Sequence, residues 1–523
     1  MKLTLADGIV LAIYFASQIA VGLYVARKNK STNQYFLGGK SFSGLVIGIS
    51  FIGSVISSVT FMATPADAFK TAWFRFIPSF AFPIVTFMAA TYLVPFFRRG
   101  TISSAYQYLA LRFGNSISAY ASVTFIIMQV LRTSMIAYLL ALLVGEITGW
   151  GFTPSLLLVV GVTAIYTVKG GLNAVIWTDV IQAVVLLLGA IACVIIVCMH
   201  VPGGILGVFS DGIAHHKFSF YDLNTTTWQL EPTKWIGGLS EKSVFLIFMV
   251  GIMQWLNLQF DQSTVQRWCS SRTAADARRS MYVLGIGCIP VWALFQFLGV
   301  CLFVFFLHNP DPVASAILIG QEKAERIMPH FIMTYLPSGV VGLVIASAVA
   351  AAMSTLSACI NVSGMVCVND LYKKYINPKA SDERCLSLGK ILSLSSALTM
   401  IAGALLIQKL NVLTLTDFML AAGVIITVGI PSIFIAGMFT RRIGTQAIWS
   451  GVGIAVALML WVMLSNAGHI PDSVAIRIPA YYVSILGNLL ALAVALALSF
   501  FIKPAPRDLT NLTVWDQSKE PLE

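Results

Sequence analysis

Apolar runs long enough to cross a bilayer recur from one end of this chain to the other. A helix needs about 20 mostly apolar residues to span the hydrocarbon layer. In lipid, only helices and closed barrels satisfy every backbone polar group. The runs are continuous, whereas a barrel would show short segments of alternating hydrophobicity. About thirteen spans can be placed, at 7–26, 43–66, 73–97, 117–146, 152–168, 173–199, 241–262, 280–307, 336–364, 386–408, 414–439, 444–466 and 478–502. The pattern predicts an all-α polytopic membrane protein. The first run passes straight into Arg27-Lys28-Asn29-Lys30 without a small-residue cleavage site, so it reads as a retained helix.

Charge placement fixes an expected orientation. Only 11% of residues are charged, against about 25% in a soluble domain. With the N-terminus outside, every second loop is basic, for example around Arg27 and Lys40, Arg98 and Arg112, Arg267 to Arg279, Lys373 to Arg384, Arg441 and Arg442, and Lys503 and Arg507. The opposite loops carry scattered Lys217, Lys234, Lys323, Arg326 and Arg477 mixed with acids. Basic loops face the cytoplasm, which predicts an outside N-terminus and a cytoplasmic C-terminus. The net charge of +11 is then a topology signal, and no nucleic-acid partner is expected. The eight cysteines show neither metal-ligand spacing nor a disulfide framework. The chain has no soluble domain of useful size and no GxxxxGK[ST] phosphate loop. Uphill movement of a solute would therefore draw on an ion gradient. No nucleophile with a general base lies at membrane depth, so an enzyme is not expected. Residues 308–334 predict an amphipathic helix on the outer membrane surface. The polar segment 503–523 predicts a mobile tail.

Polar residues inside the spans narrow the reading. The stretch Ile47 to Phe69 contains Gly48, Ser50, Gly53, Ser54, Ser57, Ser58, Thr60 and Pro65. Small and hydroxylated residues at this depth suit close helix packing or an interrupted helix whose carbonyls face a cavity. The run 344–364 mirrors it, with Ala350 to Ala352, Ser354, Thr355 and Ser357. Ser354 and Ser357, three apart, share a helical face. Arg132 falls near the middle of its span, where a guanidinium either grips a solute carboxylate through paired hydrogen bonds or partners a buried acid or backbone carbonyls. Asp179 is either a hard ligand for sodium or the partner of a cytoplasmic-side arginine. Asp261 and Gln262 read as a cap at the inner end of their span. Gly170-Gly171 suits a tight cytoplasmic turn.

Together these residues resemble the sodium:solute symporter family. The resemblance is carried by YTVKGGLNA at Tyr166–Ala174, VIWTDVIQ at Val175–Gln182, and Asp261-Gln262 with Val265-Gln266-Arg267. It covers nearly the whole chain and implies two inverted five-helix repeats of the LeuT type, at 43–199 and 241–440. An extra helix and loop (1–42) precede them and an outer loop (200–240) separates them. Two extra helices (441–502) and the tail (503–523) follow. The resemblance implies sodium-driven alternating access in a plasma membrane, the inner one in a bacterium. For the principal sodium site it implies carbonyls of Gly53, Ile56 and Ala351 with hydroxyls of Ser354 and Thr355, all hard oxygen ligands. A second sodium site of some sialic acid transporters maps onto Asp179, Ser354 and Ser357, with Ala358 where a further serine belongs. SSVTFMATPADAF is most similar to the branch that handles sialic acid and other organic anions. There Arg132 matches the carboxylate-holding arginine, and Ser57 and Thr60 match hydroxyls that touch the substrate. Val55 and Ser79 stand where threonine and glutamine are expected. The implied function is sodium-coupled import of a small carboxylate-bearing solute such as sialic acid, with sodium as coupling ion and the bilayer as surroundings. The alternatives are a neutral sugar, polyol or amino acid, or a sensor or channel on the same fold. Arg75 would add positive charge near the outer vestibule.

Overall fold

The computed structural model describes residues 3–27, 29–99, 102, 104–224, 227–238, 242–410 and 427–516. Part of the span expected at 414–439 thus lies outside the described residues. Helix α1 (Leu5–Ala26) opens with a capping box, in which Asp7 N donates to the Thr4 hydroxyl and Thr4 N donates to the Asp7 carboxylate. It is followed by α2 (Thr32–Leu37), α3 (Gly44–Val55) and α4 (Ser58–Lys70). The span α5 (Trp73–Arg98), α6 (Ala105–Phe113), α7 (Asn115–Thr148) and α8 (Phe152–His200) complete the first half.

At about 1.5 Å per residue, the 49 residues of α8 would reach more than twice across the hydrocarbon layer. They fold back at Gly171, whose φ of 56° and ψ of −155° belong to a region almost reserved for glycine. This is the turn expected from the double glycine, and it separates the spans anticipated at 152–168 and 173–199. A Cβ at Gly171 would also lie 2.5 Å from the Tyr35 carbonyl oxygen. Gly171→Ala is therefore expected to cost about 1–3 kcal/mol from backbone strain alone, with the clash added. Gly161→Ala, where a Cβ meets open space, is the control. Thermal melting of the purified proteins checks the pair, and equal melting temperatures would refute the argument.

After α8 come α9 (Gly204–Ala214) and an antiparallel hairpin of β1 (Tyr221–Asn224) and β2 (Gln229–Pro232), paired from Tyr221↔Pro232 to Asn224↔Gln229. The second half contains α10 (Val244–Gln259), α11 (Gln262–Cys269), α12 (Ala274–His308), α13 (Pro312–Leu318), α14 (Ile327–Tyr335), α15 (Val340–Val366) and α16 (Asp382–Leu410). It ends with α17 (Ile430–Phe439), α18 (Thr445–Asn466) and α19 (Ala480–Leu498). Among the described residues, eight helices are singly long and apolar enough to cross a membrane, and ten if each bent pair is one span.

Two expectations need correction. Segment 308–334 is helical, but as two short pieces that pack into the protein. Ile327, Met328, Phe331 and Ile332 of α14 are buried, and the Phe331 ring meets Phe305 edge-on. Its apolar face had a protein partner that local periodicity cannot reveal. The segment expected to be a mobile tail is seated on α6 and the C-terminal end of α17 through residue 516, with Leu512 and Thr513 buried.

The core is organised around α15, which is buried from Val344 to Val366 without interruption. Its approach to α8 is so close that a Cβ at Gly189 would lie 2.1 Å from the Ser347 hydroxyl. Ser347 in turn donates to the Val185 carbonyl at 2.7 Å. The Asp7 carboxylate caps the start of α15, accepting from Gly339 N and Gly342 N at 2.8 Å each.

Candidate ion and solute site at the broken helices

Helices α3 and α4 form one span bent by 60°. Between them, Ile56 (φ −87°, ψ 105°) and Ser57 (φ −100°, ψ 176°) are extended. Both readings of the small residues hold. Gly48 and Gly53 allow contact, since Cβ atoms there would lie 2.5 Å from Val283 Cβ and 2.8 Å from the Asp179 carbonyl oxygen. The break then frees the last carbonyls of α3, which have no partner within the helix.

Helix α15 meets those carbonyls. Ser354 Oγ lies 2.8 Å from the Gly53 carbonyl oxygen and 3.0 Å from that of Ala351. Thr355 Oγ1 lies 3.4 Å from the Ser54 carbonyl oxygen and 3.5 Å from that of Ala351. Gly53, Ala351, Ser354 and Thr355 are therefore brought together, with the Ser54 carbonyl added to the group that the sequence suggested. Ile56 sits at the break itself. A hydroxyl offers one proton and two lone pairs, so turning its proton away presents an oxygen-only surface, which suits a small hard cation.

Asp179 is fully buried, and its Oδ2 accepts from Ser50 Oγ at 2.8 Å and from Arg267 Nη2 at 2.9 Å. Arg267 is 2% exposed, and its guanidinium lies over the Phe51 ring at 4.9 Å. Of the two readings of Asp179, the pairing with a cytoplasmic-side arginine is the one seen. Ser357 Oγ donates to the Ser354 carbonyl at 3.0 Å, so the serine hydroxyls and the carboxylate bond separate partners. Within this pair, Asp179 Oδ1 and Arg267 Nε make no hydrogen bond.

Arg267 belongs to a second broken pair, α10 and α11, bent by 54°. Asp261 caps α11, accepting from Ser263 N at 2.8 Å. This is the capping role read from the sequence, but the bend beside it was not anticipated. Gln266 Nε2 reaches the Phe36 carbonyl at 2.7 Å and Asn361 Oδ1 at 2.8 Å. Gln262 Oε1 accepts from Ala105 N at 2.7 Å. The inner half of the second broken helix is thus wired to α2, α6, α8 and α15. In the sequence, Gln266 and Arg267 stood out only through the resemblance of Val265-Gln266-Arg267 to the family.

The candidates for a solute site fall at the first break and on α4, α5 and α7. Ser57 is buried at the start of α4; Val55 and Thr60 are half-buried. Ser79 is half-buried in the turns that open α5, next to Pro78, whose carbonyl accepts from Trp255 Nε1 at 2.8 Å. Helix α7, which packs on α4, brings Arg132. Its side chain is exposed while Gln129, Thr133 and Ser134 beside it are buried. Gln129 Oε1 accepts from Cys359 Sγ of α15 at 3.0 Å, and the Arg132 charge is within electrostatic reach of that cysteine. Arg75 pairs with Asp67 at 3.0 Å near the outer end of α4.

Comparison with known proteins shows what the chain is similar to. The chain is 27% identical over 458 residues to the sodium/sialic acid symporter NanT of Aliivibrio fischeri, covering 87% of each. It is 28% identical to the sodium/sialic acid symporter SiaT of Proteus mirabilis, covering 86% of this chain and 88% of that one. It is also 27% identical to the human sodium/iodide cotransporter, covering 90% of this chain and 71% of that one. A substrate-bound, outward-open sodium-coupled sialic acid symporter superposes with a TM-score of 0.85 at 25% identity, covering 96% of this chain and 99% of the other. The nucleobase-cation symporter Mhp1 superposes with a TM-score of 0.56 at 12% identity, covering 91% of this chain and 96% of the other, a likeness of fold alone. The model of the sodium:solute symporter family matches residues 35–454, and the chain belongs to that family of sodium-coupled membrane transporters.

Proposed function

We propose that this symporter imports a carboxylate-bearing solute, sialic acid first, together with one sodium ion per solute molecule. The observation that carries the reading is Arg132, an exposed guanidinium beside the buried polar side chains Gln129, Thr133 and Ser134, on a helix that touches α4. A fork of N–H donors matches a carboxylate in shape as well as charge. The names of the relatives NanT and SiaT support the same solute class. Ser57 and Thr60 would supply hydroxyls beside it, and the start of α4 would add the favourable field of a helix N-terminus. Val55 and Ser79 leave this pocket less polar at one position and shorter at another than threonine and glutamine would.

Sodium would bind the carbonyls of Gly53, Ile56 and Ala351 and the hydroxyls of Ser354 and Thr355, bridging α3 to α15. The bridge links ion binding to the shape of the solute pocket. If sodium raises affinity for the solute, the solute raises affinity for sodium by the same factor. A second ion at Asp179, Ser354 and Ser357 is not part of the proposal. Arg267 already supplies a cation to Asp179, and Ala358 removes a hydroxyl. We orient the chain with its N-terminus outside and its C-terminus in the cytoplasm of a bacterial cell, from the alternation of basic loops.

Uptake of sialic acid into proteoliposomes, driven by an inward sodium gradient, tests the function. Absence of sodium-dependent accumulation would refute it, and a screen of organic anions would then identify the class. Isotopic sodium flux per solute is expected to be one, and because one cation accompanies one carboxylate anion, the net charge moved per solute is expected to be zero. Ser354→Ala is expected to raise the sodium concentration for half-maximal uptake about tenfold, the loss of roughly one charge-assisted contact. An unchanged sodium dependence would remove Ser354 from the ion site.

A further inference from the structure

The cytoplasmic tail does more than end the chain. Helix α17 finishes at Phe439, and its last carbonyls need partners. Arg112, 3% exposed, takes the Gly437 carbonyl through Nε at 3.1 Å and the Thr440 carbonyl through Nη2 at 2.8 Å. The tail takes the two between them. Val514 N donates to the Met438 carbonyl and Trp515 Nε1 to the Phe439 carbonyl, each at 2.9 Å. The strap is fastened by a two-point fork, in which Arg441 Nε and Nη2 donate to the two carboxylate oxygens of Asp516 at 3.0 and 2.8 Å.

From this strap a line of rings runs to the bend of the second broken helix. Tyr108 of α6 donates its hydroxyl to the Leu512 carbonyl at 3.2 Å. Its ring stacks on Phe434 of α17, with centroids 6.0 Å apart and planes 20° from parallel. Phe434 stacks on Phe260 at 4.8 Å and 4°. Phe260 is the residue on which α10 ends, one position before the Asp261 cap of α11. The strap, three stacked rings and the hinge therefore form one contiguous contact chain.

We propose that Tyr108 is a positioning residue of the transport cycle. Clasped at its hydroxyl by residues 509–516, it holds the Phe260 hinge, and with it α11, in the cytoplasm-closed arrangement. Opening toward the cytoplasm requires one part of a LeuT-type bundle to rock against another. If α11 turns about its hinge, Phe260 slides on Phe434, and Phe434 must push Tyr108 against the strap. Releasing the clasp removes that resistance and shifts the population toward the inward-open form. The inference depends on motion of α11 and not on which solute is carried, so failure of sialic acid uptake leaves it standing.

Cys269 reports on α11. It is the last residue of that helix, 4% exposed, with its thiol toward the Ile102 carbonyl. The full chain in nanodiscs, without sodium, would be treated with a bulky hydrophilic maleimide, and labelling of each cysteine read by peptide mass spectrometry. Trp515→Ala, Asp516→Ala and Tyr108→Phe are expected to speed labelling of Cys269 at least about threefold, as a modest population shift requires. Cys288, fully buried in α12, should stay as slow as in the wild type. Tyr108→Phe keeps the ring stack and loses only the hydroxyl bond, so a purely structural role would leave it unaffected. Tryptic cleavage at Arg507 confirms that the strap has lifted. Should Asp516→Ala fail to fold, Arg441→Gln opens the same fork from the other side. Unchanged Cys269 labelling in a variant whose tail is cut faster would overturn the proposal. So would faster labelling in the strap variants that Tyr108→Phe does not share.

Discussion

Arg267→Ala is expected to be the most damaging single substitution in the membrane domain. It would strand the Asp179 carboxylate, which is 0% exposed and keeps only Ser50 as a partner. Breaking a buried ion pair from one side costs about 3–5 kcal/mol, because the remaining charge stays desolvated. The measurement is thermal melting in detergent, with sodium-driven uptake alongside. Replacing both members by apolar residues, Arg267→Met with Asp179→Leu, should recover most of the melting temperature, since a matched apolar pair leaves no uncompensated charge. A single variant that melts with the wild type would show that the pair carries no structural weight. The same site addresses ion stoichiometry. If Arg267 is the resident cation at Asp179, then Asp179→Asn leaves the ratio of sodium flux to solute flux at one. A fall in that ratio would mean that Asp179 carries a transported ion.

The second large effect is expected at Arg132. Hydrogen bonds to charged groups contribute about 1.5–3 kcal/mol each, so Arg132→Ala should raise the KM for a carboxylate solute by roughly 10- to 100-fold. A neutral ester or amide of the same solute is the control. It cannot use the charge, so its transport should differ little between wild type and variant. Arg132→Lys should recover only part of the loss, since an ammonium lacks the fork that fits a carboxylate. Unaltered affinity for the acid in Arg132→Ala would overturn the clamp and favour a neutral solute.

How far the sequence reached can be judged residue by residue. The first broken helix was legible because its serines, glycines and proline stand out against lipid-compatible neighbours. The facing run at Ser354 and Thr355 was legible for the same reason, and the two meet within hydrogen-bond distance. The bend between α10 and α11 was not legible. Residues 241–262 read as one uninterrupted span, and only the Asp261 cap marks the change of direction. The choice at Asp179 was equally closed to the sequence, because Arg267 lies 88 positions away and no local pattern joins them. The docked tail was missed on similar grounds. Its polar, Pro-containing composition suits a free chain, and the carbonyls that hold it belong to a helix end elsewhere.

The carboxylate of Asp7 has a practical consequence for anyone measuring motion in this transporter. It binds the first amides of α15 from α1. The element that bears Ser354 and Thr355 is thereby moored to α1 at its N-terminal end, and it is buried along almost its whole length. Spectroscopic labels near the α1–α15 junction should serve as a stationary benchmark. Distances from there to the inner halves of the two broken helices would then report conformational change, with little contribution from drift of the reference.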